Sequence, residues 1–365
     1  MFHPGVDGKP ILAKGGIATY RVTFDDRGRM IEINLFGLDG RPAASFEGVA
    51  RTRVSYDSRG NVAERDFFGI DGKPTLGRAG NAGVRFKYDA EGNLVETTSL
   101  GIDGKPILNP SGIAISRQSF DGRHNRIELS YFGVDGRPIK SNESIAKTVY
   151  AYDAHGNAID TAFFGLDGKP TLGIGGFARV IRKFDDRNNV VKQTYLGIDG
   201  KPINVQDGGY AEVIWSYGAR GNLLKESYFG SDGKPAHADG AVTIKYNYDD
   251  LGRQPKVTYF DPQGHELQME LVIRRIVPGG IGAQAGLKPG DHLLSYNGQP
   301  VNSVKQLVDL VTGGTYPFRT VTIRRDSQVI TFQVERGLLG INIGLANVHG
   351  PEAAAVPPPV PAPSR

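Results

Sequence analysis

Histidines beside acidic residues are the first candidates for chemistry, because imidazole can bind zinc or act as a general base. The histidines of the chain are His3, His124, His155, His237, His265, His292 and His349. His265 and Glu266 begin a string like that of zinc proteases, but Met269 stands where the second histidine belongs. Neither a Gly-x-Ser-x-Gly elbow nor a Gly-rich phosphate loop ending in Lys-Ser or Lys-Thr occurs. We therefore predict that the chain is not an enzyme and has no metal site and no cofactor.

Aspartates near turns are the second candidates, because carboxylates can bind calcium. Calcium takes about six to eight oxygen ligands, and no Asp-x-Asp-x-Asp-Gly run brings them together here. One set of aspartates follows an aromatic residue, as in the segment Tyr56–Asn61. The other set opens an Asp-Gly-(Lys/Arg)-Pro core, which starts at Asp7, Asp39, Asp71, Asp103, Asp135, Asp167, Asp199 and Asp232. Asp caps turns through its side chain, so we interpret both sets as turn residues.

These aspartates mark a repeat. The first seven cores are spaced by 32 residues and the eighth by 33, a period typical of repeat architectures. In segments such as Arg51–Tyr56 and Ile127–Tyr131, more polar and less polar residues alternate, which predicts strands. Between the strands, Asp-x-x-Gly-Asn predicts a type I turn followed by a residue at positive φ, which closes a hairpin with a bulge. His124 and Asn188 replace that glycine in two units.

The strand that follows each hairpin turn ends in two apolar residues, such as Phe67-Phe68 or Tyr195-Leu196. Adjacent strand residues point to opposite faces, so both faces need cover. Gly-x-Ala at the start of the next strand, as at Gly48 and Ala50, indicates close packing of successive backbones. For residues 1–264 we predict a mainly β array of about eight hairpin units, stacked as an extended coiled sheet or a solenoid.

The Tyr-Asp-x-x-Gly-Asn hairpins resemble the YD repeats of bacterial RHS-type proteins, over roughly residues 1–262. The resemblance implies a long twisted sheet. The Asp-Gly-Lys-Pro element and the longer period depart from the usual YD unit. With only eight units, we expect an open array rather than a closed shell.

A different pattern follows residue 264. Strands are predicted at Met269–Val277, at His292–Tyr296 and at residues 318–325 and 328–335. Residues 303–312 have the apolar spacing of an amphipathic helix. The motifs Ala285–Asp291 and Asn297–Val301, followed by this helix, resemble a bacterial PDZ domain, a small α/β fold, over residues 268–345. Its Gly-Leu-Leu-Gly-Ile segment comes last, as in the circularly permuted, protease-associated PDZ domains.

The resemblance implies that a peptide C-terminus or an extended strand binds by strand addition, between one strand and the helix. Successive N–H groups in the Gly-flanked loop can form a nest for a carboxylate. The helix start lacks a histidine, which favours an apolar residue at the third-last ligand position. Core packing is the alternative role: it is favoured for Leu307 and Leu310 and equally supported for Leu339, Ile341 and Val308. The predicted peptide-binding residues are Gly337, Leu338, Leu339, Gly340, Ile341, Ile343, Val304, Val308 and Val311.

Composition limits the other partners. The net charge is +4, with both signs interspersed, which argues against nucleic-acid binding. No apolar run approaches the ~20 residues that span a bilayer, and no signal peptide is visible. The absence of cysteine excludes disulfides and thiolate metal sites. Residues 346–365 are rich in Pro and Ala and are predicted to be a disordered tail.

The leading hypothesis is a non-enzymatic protein-binding scaffold, in which the PDZ-like groove binds a peptide and the array gives an extended surface. A regulatory fragment of a larger bacterial envelope or secreted protease is the first alternative. A surface adhesin or glycan-binding protein, using aromatic rows that include Tyr131 and Tyr195, is the second. The family resemblance implies an extracytoplasmic location, in the periplasm, on the cell surface or secreted.

Overall fold

The computed structural model describes residues 16–45, 47–249, 252, 256–301, 307–308, 310–311, 318–335 and 339–347. The chain divides into two compact units, Met1–Gln206 and Asp207–Arg365. As predicted, the protein is mainly β, with a long run of antiparallel hairpins followed by a smaller sheet domain.

The first unit contains hairpins in which a six-residue strand is followed by a seven-residue strand. Within the unit, successive strands pair antiparallel along the chain, which confirms the predicted hairpin architecture. The strands are β1 (Thr19–Phe24), β2 (Met30–Phe36), β3 (Arg51–Tyr56), β4 (Val62–Phe68), β5 (Gly83–Tyr88), β6 (Leu94–Leu100), β7 (Ile115–Phe120), β8 (Arg126–Phe132), β9 (Lys147–Tyr152), β10 (Ala158–Phe164), β11 (Arg179–Phe184) and β12 (Val190–Leu196).

The hairpin turns are built by one aspartate each. Asp57 Oδ1 accepts the N–H groups of Arg59 at 2.9 Å and Asn61 at 2.8 Å, and Asp57 Oδ2 accepts the side-chain amide of Asn61 at 3.0 Å. This side-chain hydrogen bond holds the pKa of Asp57 below its usual value. Gly60 lies at φ +94°, and the register shifts between Ser55 and Tyr56. The carboxylates are therefore occupied as turn caps, as interpreted from the sequence.

Two turns carry a larger residue in place of this glycine. His124 lies at φ 63° and Asn188 at φ 62°, a conformation that costs an L-residue energy. In both cases the side chain contacts the preceding turn: His124 Nδ1 lies 2.6 Å from Asn93 Oδ1, and Asn157 Nδ2 donates to Asn188 Oδ1 at 2.8 Å. These hydrogen bonds offset the backbone strain and join neighbouring units.

In several hairpins a cationic side chain covers an aromatic ring on one face. Arg51 pairs with Phe68 across the hairpin, and its guanidinium carbon lies 4.1 Å from the centre of the phenyl ring. Arg117 covers Phe132 at 4.2 Å in the same way. A cation over an aromatic face is attractive and keeps its charge in water. Apolar rings on this face are thus shielded without a second layer of backbone.

The other face is covered by the segment that leads to the next hairpin, here called the connecting arm and represented by residues 75–82. Thr75 N–H donates to Phe67 O at 3.0 Å, and Phe67 N–H donates to Ala82 O at 2.7 Å. Ala82 N–H then donates to Leu100 O at 2.7 Å, on the following hairpin. Ala82 is 3% exposed, which explains the small residue of the Gly-x-Ala motif. Each arm therefore links two successive hairpins.

The second unit begins with hairpins of the same kind and continues with a separate sheet. The hairpin strands are β13 (Glu212–Tyr217), β14 (Leu223–Phe229), β15 (Thr243–Asn247), β16 (Lys256–Phe260) and β17 (Glu266–Leu267). The separate sheet has strands β18 (Met269–Ile276), β19 (His292–Tyr296), β20 (Gln299–Pro300), β21 (Phe318–Arg325), β22 (Gln328–Glu335) and β23 (Ile341–Asn347), with a short helix α1 (Ile281–Gln284). Its main strand order is β22-β21-β19-β18-β23, and β20 pairs with β19.

The sequence predicted most of this sheet. The expected strands are present within one residue of their predicted ends, whereas α1 was not predicted. Within the predicted helix 303–312, residues 307–308 and 310–311 are helical, and the rest lies outside the described residues. β23 continues to Asn347, two residues beyond the predicted domain boundary, and residues 348–365 of the predicted tail lie outside the described part of the chain.

A buried ion pair fixes the turn of the Pro-Gly-Asp motif. Asp291 is 1% exposed, and its two carboxylate oxygens accept from Arg325 Nε at 2.6 Å and Nη2 at 2.7 Å. Asp291 Oδ2 also accepts the N–H of Lys288 at 2.7 Å, and Arg325 donates to Gly286 O at 2.9 Å. The carboxylate is buried with its charge paired and its lone pairs occupied, the condition under which such burial is tolerated.

A cluster of rings joins the last hairpins to β18. The His237 ring stacks on Tyr210, with centroids 5.5 Å apart and planes within 7°, and meets the Tyr228 ring edge-on at 4.6 Å. Asp239 N–H donates to His237 Nδ1 at 3.2 Å, so that nitrogen acts as an acceptor. The Asp239 carboxylate pairs with Arg274 of β18. Burial lowers the pKa of His237.

Two turn glycines allow the cost of backbone strain to be measured without steric crowding, because open space surrounds both. Gly92 lies at φ +88°, whereas Gly122 lies outside the left-handed region, and an added Cβ meets nothing within 4 Å at either position. We expect Gly92→Ala to lower the free energy of unfolding by about 1–2 kcal/mol. Gly122→Ala should change it by less than about 0.5 kcal/mol. Urea unfolding followed by circular dichroism measures both, and equal effects would contradict the assigned turn geometry.

The pKa of His237 predicts a pH dependence. Its folded value lies below the value of the unfolded chain, about 6.5, so the unfolded state binds more protons in this range. Stability is therefore full above about pH 6.5 and falls as the pH drops toward the folded pKa. The charged groups that act on the ring are Asp239, Arg274 and Glu226.

The variant His237→Phe keeps a ring at this position and removes the titrating group. We expect the thermal midpoint of the unmodified chain to fall more steeply between pH 7 and pH 5 than that of the variant, since the carboxylates are common to both. Differential scanning fluorimetry across this range gives the two slopes. Parallel curves would show that His237 titrates with an unshifted pKa.

Candidate functional site

One edge of the smaller sheet is formed by β23, and the other by β22. It pairs antiparallel with β18, from Ile276 opposite Ile341 to Met269 opposite Asn347. In the described part of the chain no other strand pairs with β23. Its outer edge therefore has the unpaired backbone groups that an added strand can use.

The loop that enters β23 directs its carbonyl groups into the domain. Leu339 O accepts the N–H of Gly282 at 2.8 Å, and Gly340 O accepts the N–H of Val277 at 2.7 Å. Among the described residues, no hydrogen bond is made by the N–H groups of Leu339 or Gly340. Gly340 lies at φ +65°. Consecutive free N–H groups next to a left-handed residue can bind an anion such as a carboxylate.

This loop is held by close backbone packing behind it. A Cβ added to Gly340 would lie 3.4 Å from Val277 Cβ and 3.6 Å from Gly280 Cα. A Cβ added to Gly282, in α1, would lie 2.8 Å from Leu339 O and 3.0 Å from Ile341 Cγ2. Only glycine permits this approach at Gly282. The glycines of the α1 segment thus set the position of the loop.

The side chains next to the edge strand are mostly apolar. Ile341 and Ile343 are partly buried and pack against the core of the domain, which also includes Leu307 at 4% exposure. Val311 packs against the same core, whereas Val308 is 51% exposed. An exposed valine on a helical segment is the kind of side chain that a peptide contacts when it binds between a strand and a helix.

The structure divides the predicted site residues into three groups. Leu339 is 3% exposed, so its side chain belongs to the core and only its backbone is available for a ligand. Val311 also packs against the core. The backbone of Gly340, Ile341 and Ile343 and the exposed side chain of Val308 remain candidates for ligand contact. Gly337, Leu338 and Val304 lie outside the described residues.

The residues that pack behind the loop were not expected from the sequence. Val277, Gly280 and Gly282 contact Leu339 or Gly340, and none of them was predicted to matter for the site. The signal was available in the run Gly279-Gly280-Ile281-Gly282, since three glycines within four residues indicate close backbone approach.

Comparison with known families identifies the smaller domain. Residues 272–325 match the family described as "PDZ domain". This range covers β18, α1, β19, β20 and β21. The chain therefore contains a PDZ domain, a module that binds peptides or proteins and does not itself perform catalysis.

The chain corresponds to only a part of each similar protein. "Putative zinc metalloprotease RSc1411" of Ralstonia nicotianae (strain ATCC BAA-1114 / GMI1000) is 29% identical over 118 residues, which make up 32% of this chain and 25% of that protein. The structure of TcdB2-TccC3-TEV has 12% identity and a TM-score of 0.34, covering 87% of this chain and 18% of that one. The Photorhabdus luminescens Tc holotoxin pore has 12% identity and a TM-score of 0.24, with 83% and 15% coverage. The chain spans a quarter or less of each.

Two further tests concern metals and membranes. Within the described residues, no three His, Cys, Asp or Glu side chains come together in a way that could hold a metal ion. In the same part of the chain, no helix is long and apolar enough to span a bilayer.

The contact between α1 and the loop predicts the effect of one methyl group. Gly282→Ala places a Cβ inside the distance that Leu339 O and Ile341 permit, so α1 or the loop must move. We expect a loss of about 1–3 kcal/mol in the free energy of unfolding of this domain, as for other overpacked sites. The control is Gln284→Ala, at an exposed position of the same helix, which should cost less than about 0.5 kcal/mol. Urea unfolding distinguishes them; a neutral Gly282→Ala would mean that the loop is not in contact with α1.

Proposed function

We propose that the chain is a non-enzymatic protein-binding scaffold, and that its PDZ domain binds a peptide C-terminus or an extended strand along β23. The free edge of β23, which begins directly after Gly340, is the observation that carries the proposal. A peptide would extend the sheet through the outer edge of β23, with its carboxylate in the loop that includes Gly337, Leu338, Leu339 and Gly340. Ile341, Ile343, Val304, Val308 and Val311 would contact its side chains.

The order of elements supports the permuted kind of PDZ domain. The carboxylate loop and the edge strand come last in sequence, after β22, while their sheet partner β18 comes first. The partly buried Ile341 and Ile343 favour ligands with apolar side chains at the C-terminus and at the third-last position. An extracytoplasmic location is part of this proposal and follows from the resemblance to protease-associated PDZ domains.

Peptide titration of the full chain tests the proposal. Fluorescein-labelled peptides with apolar C-terminal residues should bind, and amidation of the C-terminus should weaken binding by about tenfold or more because the loop loses a charged acceptor. Fluorescence anisotropy gives both constants. Equal binding of acid and amide would reject the carboxylate site and leave internal-strand binding, and flat titrations with both would reject the proposal.

A matched pair of valines locates the groove. Val308 is 51% exposed in the helical segment predicted to line the groove, and Val329 is 66% exposed on β22, at the opposite end of the strand order from β23. Val308→Asp should weaken peptide binding by about tenfold or more, because it introduces a charge among apolar contacts. Val329→Asp should leave binding unchanged. A larger loss from Val329→Asp would place the peptide elsewhere.

The first unit supports the extended surface of the scaffold. Its Asp-Gly turns expose one aliphatic side chain at the same position in each repeat, between 53% and 63% exposed. These residues are Leu38, Ile70, Ile102, Val134, Leu166 and Ile198. Large contiguous apolar surfaces mark protein interaction sites, and this row is the apolar surface that the array would offer to a partner.

A second candidate is a regulatory part of a larger bacterial protease. It is favoured by the partial match to the metalloprotease of Ralstonia nicotianae, of which the chain covers a quarter. Sequencing the gene on both sides of this chain tests it. An in-frame His-Glu-x-x-His motif would support the protease, and stop codons on both sides would remove this candidate.

A further inference from the structure

One strand position joins successive hairpins through an ion pair. It is the third residue of the second strand, and in the first five hairpins it is acidic: Glu32, Glu64, Glu96, Glu128 and Asp160. In all five, a cation on the first strand of the next hairpin pairs with the acid, as Arg85 Nε does with Glu64 Oε2 at 2.6 Å. The next two hairpins carry Lys192 and Lys225 at this position.

The acid can serve several donors at once. The two carboxylate oxygens of Glu96 lie 2.7 Å from Lys87 Nζ and 2.7 Å from Arg117 Nε. The fifth residue of the same strand can add a hydrogen bond, as Ser130 Oγ does by donating to Glu128 Oε1 at 2.9 Å. The repeat therefore places a carboxylate among two cations and a hydroxyl.

The hairpin of β13 and β14 has the donors without the acid. Lys225 lies directly opposite Lys245 of β15, and like charges opposite each other in an antiparallel pair destabilise a sheet. Among the described residues, neither lysine forms an ion pair. In the same part of the chain, the hydroxyl of Ser227, the fifth residue of β14, makes no hydrogen bond. Two cations and a hydroxyl are thus left without an anion.

An open cavity of about 410 Å³ adjoins these donors and is here called the lysine cleft. Lys225, Ser227 and Lys245 line it, together with the rings of Phe229 and Phe260. Lys245 Nζ lies 4.5 Å from the centre of the Phe260 ring, which places the ammonium group at the wall of the cleft. The volume falls within the range of small-molecule sites.

One carboxylate also lines the cleft, and it is occupied as a turn cap. Asp261 Oδ1 accepts the N–H groups of Gln263 at 2.9 Å and His265 at 2.7 Å, and Asp261 Oδ2 lies 3.0 Å from His265 Nδ1. This is the role that Asp57 has in its own hairpin. Asp261 therefore leaves the charges of the two lysines unpaired.

We propose that the lysine cleft binds a small organic carboxylate. The carboxylate of the ligand takes the place that the Glu96 side chain has in its own repeat, and it accepts from Lys225, Lys245 and Ser227. The hydrocarbon part of the ligand packs on the rings that line the cleft. The site shares no residue with the peptide groove proposed for the PDZ domain, so either proposal can fail alone.

Fluorine NMR of the full chain with 4-fluorobenzoate tests the site. We expect saturable broadening of the ligand signal as protein is added, and weaker binding at high salt because the cleft is open to solvent. The comparison ligand is 4-fluorobenzamide, which has nearly the same shape and no charge. It should bind about tenfold more weakly or worse, because it loses the charge-assisted hydrogen bonds. Equal affinities would overturn the role of the lysines, and the absence of saturable broadening with 4-fluorobenzoate would overturn the site.

Variants at Lys225 give a second, independent measure. Lys225→Glu restores the acid of the other hairpins and should abolish 4-fluorobenzoate binding while raising the thermal midpoint. Lys225→Gln removes only the charge, should weaken binding by about tenfold, and serves if the glutamate variant does not fold. Lys73→Glu makes the same charge change at an exposed turn of the first unit and should leave binding unchanged. Full binding to both Lys225 variants, or an equal loss in Lys73→Glu, would overturn the proposal.

Discussion

The repeats depend on one constraint: each hairpin has apolar side chains on both faces and too little chain to bury them. Phe67 and Phe68 are adjacent on β4 and therefore point to opposite sides of the sheet. The protein meets this constraint with two kinds of cover. A guanidinium lies over the ring of Phe68, and the connecting arm covers the side of Phe67. Each arm also forms hydrogen bonds to the following hairpin. The segment that covers one unit therefore also joins it to the next.

These contacts explain which positions of the repeat tolerate different residue types. Turn positions that need a positive φ carry glycine, as at Gly60, or a residue whose side chain makes a hydrogen bond that offsets the strain, as at His124. The arm residue before the alanine varies in size and polarity: it is an aliphatic residue at Val49, an amide at Asn81 and a ring at Phe177. Repeats that share one backbone can therefore differ in their local chemistry. Departures from a local rule are the places where function is expected.

The sequence predicted the β architecture well because period and turn chemistry are local properties. Asp57 and Gly60 determine a turn within five residues, and the constant spacing extends that result along the array. The order of elements also predicted the PDZ strands. Leu339 was harder, because an apolar residue beside a groove and one in the core have the same composition; the structure places its side chain in the core.

The connecting arms also bear on how such a protein can change in length. Among the described residues, the hydrogen bonds of an arm reach the hairpins that it links, as Ala82 does with Leu100, or the neighbouring arm, as Asn142 does with Ser111. The turn contacts likewise reach the neighbouring turn. A gene that gains or loses one whole repeat by unequal crossing-over would therefore yield a chain in which every remaining contact is retained. Tandem duplication can adjust the number of units in steps of 32 residues, while each copy acquires substitutions separately.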